Sequence, residues 1–421
     1  MSATERKVVV TGVGAVTPLG VGAGVFFEGL LAGRSGVRRI TRFDVSEHAT
    51  QIAAEIRDGV FVPEEHFSSK ELRRMDPFAQ VGLVAAREAW KDAGFEGGYP
   101  RPERGGAILA TGIGGITTIF EQDEVMRAKG PRRVTPFFIP SVMANSLPAH
   151  VAIEFGLAGP CFLTASACAS SGHAIGMAMR EIRVGNADLV VTGGAETTTN
   201  PLCLAGFNSL KALSTRNDEP ERASRPFDRD RDGFVMAEGG GALVLESEEH
   251  ARARGARIYC ELAGFGQSDD AGHITAPDPS GERPAEAMRL ALADAGIGAE
   301  EVDYVNAHGT STQLNDKVET LALKLALGES DARRTWISST KSMVGHLVGA
   351  AAAVEAVVCA MTLDRGVAHG TSNLEHPDVE GGCDLDYMPD GPREKEFRAA
   401  ICNSLGFGGH NTCLAFRRYA G

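Results

Sequence analysis

The sequence predicts an α/β fold on two observations. Short β-branched or apolar runs, several of them bounded by glycine, at 7–11, 107–110, 189–192, 242–245 and 303–306 alternate with longer alanine-rich amphipathic stretches at 81–93, 171–184, 285–295 and 349–363. No long low-complexity linker separates them, so 421 residues with 43% hydrophobic content can bury one large core or two fused medium ones. KVVVT, AILA, LVVT, ALVL and DYVN are of strand length, whereas the alanine-rich stretches reach helix length.

Internal similarity sharpens this expectation. VVVTGVG near the start resembles IYCELAGFG at 258–266, each a strand running into a Gly-x-Gly turn. GAILATGIGG at 105–114 is echoed by DYVNAHGTST at 303–312, and FLTASACASSGHAIGMAM has the strand, polar loop and small-residue helix of WISSTKSMVGHLVGAAAAVEAV. The halves divide near residue 255, giving units 1–255 and 256–421. Pattern alone leaves open whether this is duplication or the ordinary rhythm of an α/β chain.

Composition narrows the function classes. A formal net charge of -13 argues against nonspecific binding to nucleic acid or an anionic membrane, both of which need a cationic face. MSATERKVVVTG carries Glu5 where a signal peptide needs positive charge, and GAAAAVEAVVCAMTL is broken by Glu355 and falls short of the ~20 residues that cross a bilayer. A cytoplasmic protein is expected. The eight cysteines include no CxxC pair, so most read as small buried hydrophobes. GVGAVTPLG at 12–20 has Thr17 where a dinucleotide fingerprint needs glycine, and reads as a tight turn.

Three strings carry candidate chemistry. In FLTASACASSGHAIG, a strand and a Ser/Thr-rich turn precede Cys168 and helix-compatible small residues follow, which sets the thiol at a helix N-terminus. Unpaired amides there favour a thiolate able to accept an acyl group. The plain alternative, for any one of eight cysteines, is an inert buried thiol. His308 ends a strand in YVNAHGTST, with Thr310 and Thr312 at alternate positions so that both hydroxyls face one way. His346 follows Lys341 by five residues at the mouth of a second small-residue helix. Neither histidine has His-x-x-x-His spacing or an obvious third ligand, so no metal site is expected. NSLGFGGHN at 403–411 is too glycine-rich for helix or regular strand; as a loop, its amides suit an oxyanion hole and Phe407 suits a gate.

Together these strings resemble the β-ketoacyl-ACP synthase family, in particular the elongating type II synthases and the ketosynthase α subunits of type II polyketide systems. The resemblance runs from VVVTGVGAVTPLG to GFGGHN. It implies a thiolase fold of duplicated halves in five layers (α-β-α-β-α), normally dimeric. It implies that Cys168 takes an acyl chain from a phosphopantetheine thioester, and that His308 and His346 assist decarboxylation of a malonyl group on acyl carrier protein. Lys341 is then expected to hold a polar network with Asp316, Glu319 and Glu355, and amides of Cys168 and Phe407 to bind the thioester oxyanion. Thr310 and Thr312 match pantetheine contacts, Ile113 and Phe407 the acyl-pocket gate, and Asp270 and Thr275 a second mobile loop. No metal or redox cofactor is implied.

Acyl carrier proteins are acidic, as is this chain. Lys70, Arg73 and Arg74, Arg132 and Arg133, and Lys211 resemble the family's docking patch; each is otherwise an ordinary solvated charge. Cys402 lacks the CxGGG setting of a thiolase base, His346 stands where initiating synthases carry asparagine, and Cys168 argues against a noncatalytic chain-length factor. Pathway is less determined. ALSTRND and SSTKSMVGH lean toward fatty-acid synthesis and a homodimer, while QLNDKVET leans toward a polyketide subunit paired with a chain-length factor. Leu405 departs from the phenylalanine usual in NSFGFGG, which leaves gate shape open.

Overall fold

The computed structural model describes residues 6–56 and 59–420, so Glu5 lies outside the described residues. Ten strands make one long sheet path: β1 (Val8–Thr17), β2 (Gly105–Ala110), β3 (Cys161–Thr164), β4 (Leu189–Glu196), β5 (Gly239–Ser247), β6 (Cys260–Asp269), β7 (Val302–Asn306), β8 (Trp336–Ser338), β9 (Ala399–Gly406) and β10 (His410–Arg418). Their spatial order is β8-β7-β9-β10-β6-β1-β5-β4-β2-β3. Counted outward from the centre, each half therefore runs first, fifth, fourth, second, third strand in chain order. The sequence echoes fall on matching strands: β1 with β6, β2 with β7, β3 with β8. The halves meet where β1 and β6 pair antiparallel, Val9 opposite Glu261 and Val10 opposite Cys260.

Side-chain alternation explains the layers, because successive residues of a strand face opposite sides. In β2, Ile108 and Ala110 enter the central core while Ala107 and Leu109 enter the outer one. In β9, Ala400 and Cys402 face the centre and Ala399 and Ile401 the opposite outer core. Helices α1 (Pro77–Asp92) and α2 (Ser146–Phe155) cover one outer face, and α4 (Glu282–Ala295) and α5 (Gln313–Leu327) the other. Between the sheets lie α3 (Ser170–Arg183) and α6 (Ala351–Arg365), packed on each other. That is the expected five-layered arrangement. Buried on both sides, β4 reads LVVTGGAE with all eight residues inaccessible, the near-continuous run such strands require.

The Gly-x-Gly strings are not turns. Gly12 and Gly14 lie inside β1, and Gly264 and Gly266 inside β6, because a helix backbone crosses closely over each. A Cβ on Gly12 would lie 2.1 Å from the Ala89 carbonyl of α1, and one on Gly264 would lie 2.2 Å from the Ala291 carbonyl of α4. The first chain reversal comes after Thr17, where Gly20 pairs back. Five cysteines are buried, Cys161 is exposed, Cys168 and Cys203 are half-buried, and all are free. Among the described residues, no helix is long and apolar enough to cross a membrane.

Candidate active site

In each half the second, third and fourth strands run parallel, and their C-terminal ends open into the loops that carry the candidate residues. This is where an α/β sheet places ligands. After β3 the chain bends through Ala167 at φ 49, an uncommon left-handed position, and enters α3 at Ser170. The bend presents Cys168 just ahead of the helix. The Ser/Thr-rich turn does not cap the helix: the N-cap position is Ala169, without a side-chain bond. Instead the Ser170 hydroxyl braces the bend, donating to the Ala167 carbonyl at 2.6 Å and accepting from the Ser166 amide at 2.8 Å.

The expectation of a thiolate with a depressed pKa is also corrected. Burial pushes the Cys168 thiol up to about 11, and the Lys341 charge and the amides of Phe407 and Cys168 offset this only in part. Those two amides nevertheless point at the sulfur, beside which the oxyanion of an attacked thioester would form. Residues 403–411 are not all loop. Strands β9 and β10 pair through Gly406 opposite His410, leaving only 407–409 as the turn. Phe407 is half-buried at its tip.

His346 comes from the other half and meets the thiol, its Nε2 standing 2.9 Å from Cys168 Sγ. The tautomer follows from the other ring nitrogen. The Val348 amide donates to His346 Nδ1 at 3.2 Å, so the ring proton belongs on Nε2, which donates toward the sulfur. Val348 makes that bond from φ 47, a strained conformation for a β-branched residue. The His308 ring stands perpendicular to that of His346, with centroids 5.4 Å apart. Burial first, and then the Lys341 charge, hold both imidazoles well below the usual histidine range, so both are neutral at pH 7.

Glu319 and Lys341 fix this pair from behind. Glu319 accepts from the His308 and Gly309 amides, each at 2.7 Å, and burial pushes its carboxyl up to about 7. Lys341 is ion-paired with Glu355, both almost wholly buried, and burial raises Glu355 to about 7. Asp316 adds its charge beside Glu319 but holds other partners. It accepts from the Phe227 amide at 2.8 Å and faces Arg231 at 3.6 Å, one helical turn away from Glu319 on α5. It therefore anchors the 227–231 segment against the start of α5.

Thr310 and Thr312 do face one way, their hydroxyls 2.9 Å apart, while the Thr312 oxygen also caps α5 by accepting from the Asn315 amide. Ile113 stands partly exposed in the loop after β2. Asp270 ties its segment to the turn bearing Phe407: its amide donates to Gly409 O at 2.9 Å and its carboxylate accepts from Asn411 Nδ2 at 2.6 Å. Gly408 in turn donates to Ile274 O at 2.7 Å, beside half-buried Thr275. Lys70, Arg73, Arg74, Arg132, Arg133 and Lys211 are all exposed. Arg74 lies 5.0 Å over the Phe137 ring, which brings the first basic group alongside the segment of Arg132 and Arg133.

Ligand atoms of Cys168, His308 and His346 lie within 4.8 Å of one another, a spacing three metal ligands can have. The donor set argues otherwise. With Nδ1 of His346 accepting an amide proton, Nε2 carries hydrogen and offers the centre no lone pair. Sequence reasoning missed Glu196, buried at the end of β4, which bonds the loops on both sides of the site. A signal was present: GGAE places a lone carboxylate at the end of an otherwise apolar strand.

Comparison with known proteins agrees with this geometry. Residues 5–251 match the Beta-ketoacyl synthase, N-terminal domain, and residues 259–375 the Beta-ketoacyl synthase, C-terminal domain. The 3-oxoacyl-[acyl-carrier-protein] synthase 2 of Coxiella burnetii is 45% identical over 414 residues, covering 98% of this chain and 99% of that protein. The solved ishigamide ketosynthase/chain length factor superposes with a TM-score of 0.91 at 35% identity, over 99% of this chain and all of that one. A type II PKS ketosynthase solved with its acyl-carrier protein gives 0.89 at 34%, with the same coverage. The chain belongs to the β-ketoacyl synthase family.

Proposed function

We propose that this protein is a β-ketoacyl-ACP synthase of the fatty-acid elongating type, joining acyl and malonyl units by decarboxylative Claisen condensation. The observation that carries the reading is the convergence of one thiol and two neutral imidazoles from opposite halves of a duplicated fold. Cys168 attacks the acyl thioester as its thiolate, the amides of Cys168 and Phe407 hold the tetrahedral oxyanion, and the pantetheine sulfur leaves as a thiolate that takes up the proton Cys168 released. The malonyl thioester then takes its place. Loss of CO2 puts negative charge on the thioester oxygen, which the two imidazole N–H groups stabilise. The resulting carbon nucleophile attacks the Cys168 thioester, and the free thiol returns. Decarboxylation supplies the carbanion, so the sequence calls for no base, metal or redox cofactor.

Supporting the choice of pathway, the Coxiella synthase shares 45% of its residues with this chain, against 35% and 34% for the polyketide structures. In this reading Lys70, Arg73, Arg74, Arg132, Arg133 and Lys211 receive an acidic acyl carrier protein, Thr310 and Thr312 contact its pantetheine, and Ile113 and Phe407 gate the acyl pocket. The working unit is a cytoplasmic homodimer. A ketosynthase α subunit that needs a chain-length factor is the second reading, favoured by the TM-score of 0.91. Purified chain offered acyl-ACP and malonyl-ACP separates them. Elongation by this chain alone is expected; activity only with a cognate partner subunit overturns the first reading.

A further inference from the structure

Glu196 has no role in the steps above, yet it is fully buried and accepts four hydrogen bonds from two separate segments. Oε1 accepts from Thr111 Oγ1 at 2.9 Å and the Ile113 amide at 3.3 Å; Oε2 accepts from the Gly112 amide at 2.6 Å and the Gly349 amide at 3.1 Å. The first segment is the loop that carries Ile113. The second is the turn after His346. The two backbones touch: a Cβ on Gly349 would lie 2.0 Å from Gly112 N and 2.6 Å from Thr111 C. Between them sits Val348, held at φ 47, whose amide sets the His346 tautomer.

A β-branched residue at positive φ is strained and persists only where its surroundings hold it. The bond from Gly349, the next residue, to a buried carboxylate oxygen is the restraint this structure provides. We infer that Glu196 is a positioning residue for His346: by clamping Gly349 to Gly112 it keeps the Val348 amide on Nδ1 and so keeps the Nε2 proton aimed into the reaction centre. It touches no substrate and acts through the turn. Burial pushes its carboxyl up to about 7, and a protonated carboxyl can still accept on Oε2 while its hydroxyl donates to Thr111. Charge is thus not the essential property; an acceptor at Oε2 is.

This inference rests on the proposed condensing function, and its test separates the two. In Glu196→Ala the Gly112 and Gly349 amides lose their acceptor. In Glu196→Gln the side-chain carbonyl can stay on them while the amide turns to Thr111 Oγ1. On the full chain two half-reactions are read: acylation of the enzyme by acyl-ACP, as intact mass, and CO2 release from malonyl-ACP by the acylated enzyme. The alanine variant is expected to lose about 30-fold in CO2 release, while acylation stays within about threefold of wild type. The glutamine variant is expected to recover CO2 release to within about fivefold. Equal loss of both half-reactions, an unchanged alanine variant, or a glutamine variant as poor as alanine overturns the inference. Should the alanine variant not fold, Glu196→Asp, one methylene too short to span both segments, takes its place with the same expectations. A wild-type chain that neither acylates nor condenses refutes the proposed function instead.

Discussion

Two corresponding units, one from each half, make the reaction centre and use the same scaffold differently. In the first, β3 passes into α3 through five residues, 165–169, with Ala167 at φ 49 as the bend. In the second, β8 reaches α6 through 339–350, a longer path containing a short helix at Lys341–Val344 and a 3-10 turn at Val348–Ala350. The short connection holds a sulfur against a helix start. The longer one has room for a buried cation, Lys341, and a histidine whose tautomer its own backbone sets. The polar residues differ while α3 and α6 pack together in the same central layer, which teaches that duplication fixed the stage and loop length divided the chemistry.

Four changes probe the division of labour between the two units. The largest effect is expected from Cys168→Ala, which removes the only group the first unit contributes covalently; condensation and acyl-enzyme mass should fall by about 10³-fold or more. Next, Lys341→Met strands the Glu355 carboxylate in the second unit. Breaking a buried pair from one side costs about 3–5 kcal/mol, measurable as a shifted denaturant midpoint. The half-reactions should also respond differently to pH. Burial raises the Cys168 thiol to about 11, so the reactive thiolate grows with pH, and acylation should climb steadily from pH 6 to 9. Both imidazoles are held well below the usual range and stay neutral throughout, so any change in CO2 release by pre-acylated enzyme should centre near pH 7, where the raised carboxyls of Glu196, Glu319 and Glu355 titrate, and be level from pH 8 to 9. Smallest is Ala167→Gly, which relieves the left-handed bend: stability should rise by up to about 1 kcal/mol, with a few-fold slower acylation from the loosened elbow.

Much of this was legible in the chain. Apolar runs of strand length and small-residue helices located β2, β4, β5, β7, α1, α3 and α4 within a few residues, since buried strands and close-packed helices leave strong patterns. The echoes marked corresponding strands correctly, and the three residues that converge, Cys168, His308 and His346, were visible from the strings around them. Three things were hidden because they depend on contacts distant in sequence. Gly12 and Gly14 read as a turn until α1 is seen crossing β1. Asp316 and Glu319 share α5 but face different partners, Arg231 and the His308 loop. The Cys168 thiol is raised by burial, which a helix N-terminus alone does not reveal.

The proposed mechanism assigns acylation to the first unit and decarboxylation to the second. His346→Ala tests it most directly, with the acyl-enzyme weighed and CO2 release from malonyl-ACP timed on the same sample. Full acylation with CO2 release slowed by about 10²-fold or more is the expected result. Acylation lost while CO2 release persists would contradict it.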